Sequence, residues 1–338
     1  INYQEGMGDM RDKADRLQKL TEAIGKDWDF DAEKTADADR AAFLSKSDLA
    51  TGMVTEFTEL QGEMGKEYAL LDGEKPEVAQ AIFEQYMPRF AGDILPQQEI
   101  GRALSLADKL DNLAATFLRG LIPTGSQDPF ALRRQTIGAV NILTDGKIHW
   151  DIRRGIEAAL ALLPGEEETK KTVLSQIEDF FRQRIKAIML DEGIAYDIID
   201  AVLAGPVDDI YALFLKARSM AESQLKDEAD LRQAVTRLAN ITKGKTGGKV
   251  DPSLFTEDVE KKLQDAFEAA SKKVLPLFAA YQYGEALPVL KELTAPINDY
   301  LDNVMVMVDD EAVKNNRISQ LLATLALFNT WGDFSKLV

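Results

Sequence analysis

The sequence predicts an all-α protein built of two helical modules. Three observations carry that reading. Apolar residues recur at three- and four-residue spacing in nearly every segment, alternating strand patterns are rare, and Gly-Pro, Asp-Pro and Gly-Gly pairs separate the periodic stretches. A length of 338 residues fits two domains at roughly 100–200 residues each.

The elements follow in order. Met10, Ala14, Leu17 and Leu20 line one face of a helix over residues 10–20. Residues 41–57 repeat the pattern through Phe43, Leu44, Met53, Val54 and Phe57. Helices over 77–90 and 99–117 come next, with Pro88, Gly92 and Pro96 punctuating the chain between them. The turn Pro123-Thr124-Gly125-Ser126 precedes a helix that opens at Pro129, with Ser126 or Asp128 as its cap, and runs to about Leu143. A short helix starts at Asp151 and stops at Pro164-Gly165. Further helices are expected over 169–190, 196–203, 208–220, 227–241, 259–275 and 311–328. Val304-Met305-Val306-Met307 is the best strand candidate. The expected modules are residues 1–146 and 169–338, with 147–168 as a linker carrying the short helix.

Composition excludes several classes of function. Cysteine is absent and His149 is the single histidine, so thiolate sites, cysteine nucleophiles and any site needing two imidazoles are ruled out. Net charge is −17, from 40 basic against 57 acidic residues, and neither half of the chain is basic. Such a chain has no global field for nucleic acid, so any phosphate contact must come from a local patch. The apolar run at 321–328 falls far short of the roughly 20 residues of a membrane span. No apolar leader opens the sequence, and the missing initiator Met reads as a fragment or a processed chain.

Local patches do exist. Ala239-Asn240-Ile241-Thr242-Lys243-Gly244-Lys245-Thr246 superficially matches a relaxed phosphate loop, but a helical pattern precedes it where that chemistry needs a strand. What remains is a mobile glycine loop in which Lys243, Lys245 and Lys249, with Arg237 before them, form a basic cluster suited to a phosphate backbone. Arg133-Arg134 with Arg153-Arg154 form a second cluster; neighbouring arginines on a helix diverge, so one pairs with a carboxylate while the other stays free. The carboxylates Asp9, Asp12, Asp15, Asp108 and Asp111 read as solvated faces, and His149 as a packed or surface residue. No catalytic constellation emerges from the residues alone.

The run Ile122-Pro123-Thr124-Gly125-Ser126-Gln127-Asp128-Pro129-Phe130-Ala131-Leu132-Arg133-Arg134 resembles a signature of the β subunit of bacterial tetrameric glycyl-tRNA synthetases. Leu106-Ala107-Asp108-Lys109-Leu110-Asp111-Asn112-Leu113 and Glu56-Phe57-Thr58-Glu59-Leu60-Gln61-Gly62-Glu63-Met64-Gly65 are similar to the same family. So are Asp302-Asn303-Val304-Met305-Val306-Met307 and Asn315-Asn316-Arg317, and the blocks fall in the expected order.

The resemblance implies an N-terminal module similar to HD domains, with Ser47-Asp48 standing where the metal-binding His-Asp pair would be, and hence no metal chemistry. It implies a C-terminal module similar to the helical anticodon-binding domain of arginyl-tRNA synthetase. The expected RNA-binding residues are Arg133, Arg134, Arg237, Asn240, Lys243, Lys245, Lys249 and Arg317, with none catalytic. The implied partners are glycine tRNA and the α subunit of an α2β2 cytoplasmic holoenzyme, with no membrane and no DNA. ATP and Mg²⁺ serve the holoenzyme and are not bound by this C-terminal portion, which is expected to be inactive alone. Two rival readings are a residual HD-type phosphohydrolase and a helical scaffold for protein partners.

Overall fold

A computed structural model describes residues 1–338 as sixteen α-helices joined by short 3-10 turns, with no strand beyond isolated bridges. The all-α expectation holds. The helices are α1 (Met10–Asp27), α2 (Ala32–Leu44), α3 (Gly52–Glu56), α4 (Glu63–Leu71), α5 (Pro76–Glu84), α6 (Glu99–Leu118), α7 (Leu132–Asp145) and α8 (Ile152–Ala161). They continue with α9 (Glu167–Asp191), α10 (Tyr196–Val202), α11 (Ile210–Glu222), α12 (Ala229–Thr242), α13 (Asp258–Ala279), α14 (Leu287–Lys291), α15 (Thr294–Asn303) and α16 (Glu311–Asn329).

The chain divides into two units, Ile1–Ile185 with Val207–Tyr211, and Lys186–Pro206 with Ala212–Val338. The division falls inside α9 and not in the expected 147–168 stretch. The reason is local: α8 packs on α6 and α1, and the Ile152 amide donates to the carbonyl of Asp208, so this stretch and residues 207–211 belong to the first unit.

In the first unit α6 runs through the centre, packed by α1, α2, α5, α7 and α8, and 16 of its 20 residues are buried. A helix surrounded on every side must bury polar as well as apolar faces, which decides the character of the site described below. The helix expected over 41–57 is broken. Ser45 turns its hydroxyl back to the Ala42 carbonyl, a 3-10 turn covers Ser47–Ala50, and Thr51 caps a new helix by accepting the Val54 amide. At residues 122–134 the cap is Asp128, whose carboxylate accepts the amides of Leu132 and Arg133 at 2.8 and 3.0 Å. Pro129 therefore lies in the turn, and α7 opens only at Leu132, after Ala131 adopts the left-handed conformation at φ 54°.

In the second unit α12 packs against α15 and α16, and α13 against α14, α15 and α16. Leu231, Leu238, Leu263, Tyr300, Phe328 and Trp331 are among the side chains that fill its core. The helix α13 continues through Pro276 to Ala279, beyond the expected stop at 275. In residues 304–307, Val304 is extended, but the chain bends at Val306 and Met307 and the segment pairs with no strand. Its alternation is real, with Val304 and Val306 buried while Met305 and Met307 are 73% and 54% exposed.

Candidate nucleic-acid interface

The lysine loop follows α12 directly. Asn240 is exposed on the last turn, Lys243 and Lys249 are exposed, Lys245 is half-buried, and none of the three ammonium groups forms an ion pair, although Lys249 acts on the Asp251 carboxylate through space. The loop is not the mobile glycine segment expected. The Gly248 amide donates to Ser319 Oγ at 2.8 Å, and the Asp251 amide to Asn316 Oδ1 at 2.7 Å. Asn316 Nδ2 returns a bond to the Asp251 carbonyl at 3.0 Å. Gly247 is pressed so closely on α16 that a Cβ there would meet Ser319 Cα at 3.2 Å. Three unpaired cations are thus held on a tethered loop, which lowers the ordering cost of a phosphate contact.

Arg237, one turn before Asn240, donates to Asn298 Oδ1 at 2.9 Å and to Asp302 Oδ1 at 2.6 Å. It stays partly exposed, but Asp302 already meets its charge. Arg317 is a correction. Its side chain is 5% exposed, and it donates to Glu260 Oε1, Thr256 Oγ1 and the Met305 carbonyl at 3.0, 2.7 and 2.7 Å. Burial works to raise the Glu260 carboxyl, but the Arg317 guanidinium and the amides of Thr256 and Glu257 together outweigh it and hold the group low. This guanidinium joins α16, α13 and the segment 304–307; it has no face for RNA.

In the first unit, Arg133 donates to the Gly125 carbonyl at 2.7 Å, so its partner is backbone and not a carboxylate, while Arg134 is exposed and makes no ion pair. Arg153 pairs with Asp151 and Glu178, and Arg154 with Asp27, so the second cluster is divided between paired and unpaired arginines. Arg184, on α9, escaped the sequence analysis. Burial and the nearby Arg133 guanidinium lower its pKa, and its buried Nε has no partner. His149 Nδ1 sits 2.7 Å from Asp209 Oδ2 with its ring against Tyr211, a structural placement.

The largest departure concerns Asp108 and Asp111, which are buried and not solvated. Lys13 Nζ lies 3.1 Å from Asp108 Oδ1 and 2.8 Å from Asp111 Oδ2. Arg16 grips Asp111 through Nε and Nη2 at 2.7 and 3.2 Å. Lys46 Nζ reaches Asp108 Oδ1 at 3.1 Å, and the buried Lys109 donates to the Met87 carbonyl at 2.9 Å. Burial alone would raise the Asp108 carboxyl, but Lys13, Lys46 and Lys109 hold it far below the ordinary carboxylate range. Burial lowers Lys46, and pushes Lys109 down to about 8 despite Asp108. The signal was present in the sequence. Lys13 and Arg16 are three residues apart on α1, and Asp108 and Asp111 three apart on α6, so each pair shares one helix face.

The geometry places exposed or half-exposed cations on an all-helical chain. Residues 231–332, which hold α12 to α16 and the lysine loop, match the family model of the DALR anticodon binding domain. That match defines a helical chain that carries an anticodon-binding domain. Residues 1–204 match the family model of the glycyl-tRNA synthetase beta subunit, and the chain belongs to that family. The β subunit of glycine–tRNA ligase from Clostridioides difficile is 44% identical over 339 residues, covering 100% of this chain and 49% of the relative. That from Desulforamulus reducens is 40% identical over 342 residues, again covering 100% of this chain and 49% of the relative. The Chromohalobacter salexigens β subunit is also 40% identical, over 341 residues, with the same coverage. The chain spans about half the length of the curated relatives it matches.

Proposed function

We infer that this chain is the tRNA-binding and tRNA-positioning part of a glycine–tRNA ligase β subunit. In that reading glycine activation with ATP and Mg²⁺ takes place on a separate α subunit of a cytoplasmic α2β2 enzyme, and the chain itself supplies no catalytic group. The observation that carries it is the tethered lysine loop, three unpaired cations inside a domain of the anticodon-binding family. Lys243, Lys245 and Lys249 hold phosphates, and Asn240 and Arg237 on the last turns of α12 face the bases of an unstacked loop. Arg133 and Arg134 add phosphate contacts from the first unit. An acidic body with local basic surface limits non-specific RNA binding, because the field away from the patch repels phosphate.

The deciding experiment measures binding of the chain to glycine tRNA, to an anticodon-substituted glycine tRNA and to a non-cognate tRNA across a salt series. Preference for the intact glycine anticodon supports readout by the C-terminal unit. Absence of saturable binding to any tRNA at low salt sinks the assignment.

A further inference from the structure

The ion cluster around α6 is unbalanced, and it lines a cavity of about 550 Å³. Lys13, Arg16, Lys46 and Lys109 contribute four positive charges. The two carboxylates bridged to them are Asp108 and Asp111, and a third, Asp48, faces Lys46 while accepting the Gly62 amide at 2.7 Å. Among the buried groups four cations therefore face three carboxylates; the remaining carboxylate on the cavity lining, Glu59, is exposed and makes no ion pair with them.

Counting donors locates the excess. An ammonium group has three N–H donors. Lys13 donates to Asp111 and Asn112 at 2.8 Å each and lies 3.1 Å from Asp108 Oδ1, an ion pair that leaves this buried oxygen without a hydrogen bond. Lys109 uses two, on the Met87 carbonyl and Ser105 Oγ at 2.9 and 2.6 Å. Lys46 Nζ lies 3.1 Å from Asp108 Oδ1 and otherwise faces Asp48 and the Tyr86 ring, 4.2 Å from its nitrogen. Two donors of Lys46 and one of Lys109 are left without a protein acceptor, on side chains that are more than nine-tenths buried. All three lysines line the cavity, and at its rim stands Arg134, the arginine without an ion pair.

We propose that this cavity is a phosphate site, in which the free donors of Lys46 and Lys109 and the guanidinium of Arg134 receive the phosphoryl group of a nucleotide. A phosphoryl oxyanion supplies both negative charge and several oxygen acceptors in a fixed geometry, which a neutral group does not. The volume exceeds what one phosphate fills and lies in the range of pockets that enclose nucleotide-sized ligands. The source of the phosphoryl group is a phosphate of bound RNA or a free nucleotide, and both satisfy the same donors. The assignment concerns the first unit alone and stands apart from anticodon readout by the second.

Calorimetric titration of the 338-residue chain with inorganic phosphate and with adenosine 5′-monophosphate tests it. One-to-one binding is expected, weakened at least about tenfold by Lys46→Met and also weakened by Arg134→Ala. Arg134 is exposed, so its variant keeps the test valid if the buried lysine variant fails to fold. Competition of the nucleotide by tRNA assigns the site to RNA phosphate, whereas simultaneous binding assigns it to a free nucleotide. No saturable uptake of either probe by the folded chain, or uptake unchanged in both folded variants, overturns the proposal.

Discussion

Arg317 Nε donates to Glu260 Oε1 at 3.0 Å, and neither side chain is more than 6% exposed. The pair joins α16 to α13, and the same guanidinium reaches the Met305 carbonyl, so one side chain fixes three segments of the second unit. Removing one partner leaves the other charged and buried. Arg317→Ala is therefore expected to cost about 3–5 kcal/mol of stability by urea unfolding. Arg317→Ala combined with Glu260→Ala should cost less than the sum of the two single changes. A single Arg317 variant with unchanged stability but weakened RNA binding would return this residue to the RNA surface.

The lysine loop gives a second expectation. Because Lys243, Lys245 and Lys249 form no ion pair within the chain, replacing all three with Ala should leave thermal unfolding nearly unchanged. The dependence of tRNA affinity on salt should flatten, with the slope of log K against log salt falling by about 2–3 if each contacts one phosphate. Weaker binding with an unaltered slope would mean that the loop acts on RNA by some route other than phosphate contact.

The buried lysines set a pH dependence whose sign is fixed by geometry. Burial pushes Lys109 down to about 8, below its ordinary value near 10.4, so in that interval the unfolded chain binds more protons than the native one. Stability should rise with pH from about 8 towards 10, by at most about 1.4 kcal/mol per pH unit for this one group. Lys46 is lowered as well and acts in the same direction, whereas Lys13 is raised by Asp108 and Asp111 and opposes only above its ordinary value, and burial raises Tyr3, Tyr86 and Tyr300, which oppose as the pH nears their ordinary value of about 10. Denaturant titrations at pH 7.5, 8.5 and 9.5 check this, and Lys109→Met should flatten the rise. A fall in stability across that interval would contradict the assigned burial.

The helical pattern was readable where apolar residues recur at three- and four-residue spacing over a long uninterrupted segment. The spacing over residues 99–117 anticipates α6 (Glu99–Leu118) to one residue, and 311–328 anticipates α16 (Glu311–Asn329) equally well. It failed where short-range hydrogen bonds compete with periodicity. The hydroxyls of Ser45 and Thr51 break residues 41–57 into three pieces, although the apolar spacing runs on through them. The cap at Asp128 was legible as a residue but not in register, because the left-handed Ala131 delays the helix by three positions. In the site, the unpaired lysines of the loop were visible as a cluster in an acidic chain. Their tether through Ser319 and Asn316 was not, since those partners lie 65 to 71 residues away in sequence.

By itself, then, the sequence determined the class of fold, most helix centres and the position of the basic patches, since each follows from local spacing and composition. The tertiary structure decided which charges face water and which lie inside. Arg317, Lys46, Lys109, Asp108 and Asp111 look like surface residues beside their own neighbours in the chain. Their burial depends on how many helices surround α6 and α16, and on a partner that arrives only when distant segments pack. A helix reports its own face through its periodicity, but the number of faces that become covered is a property of the assembly around it.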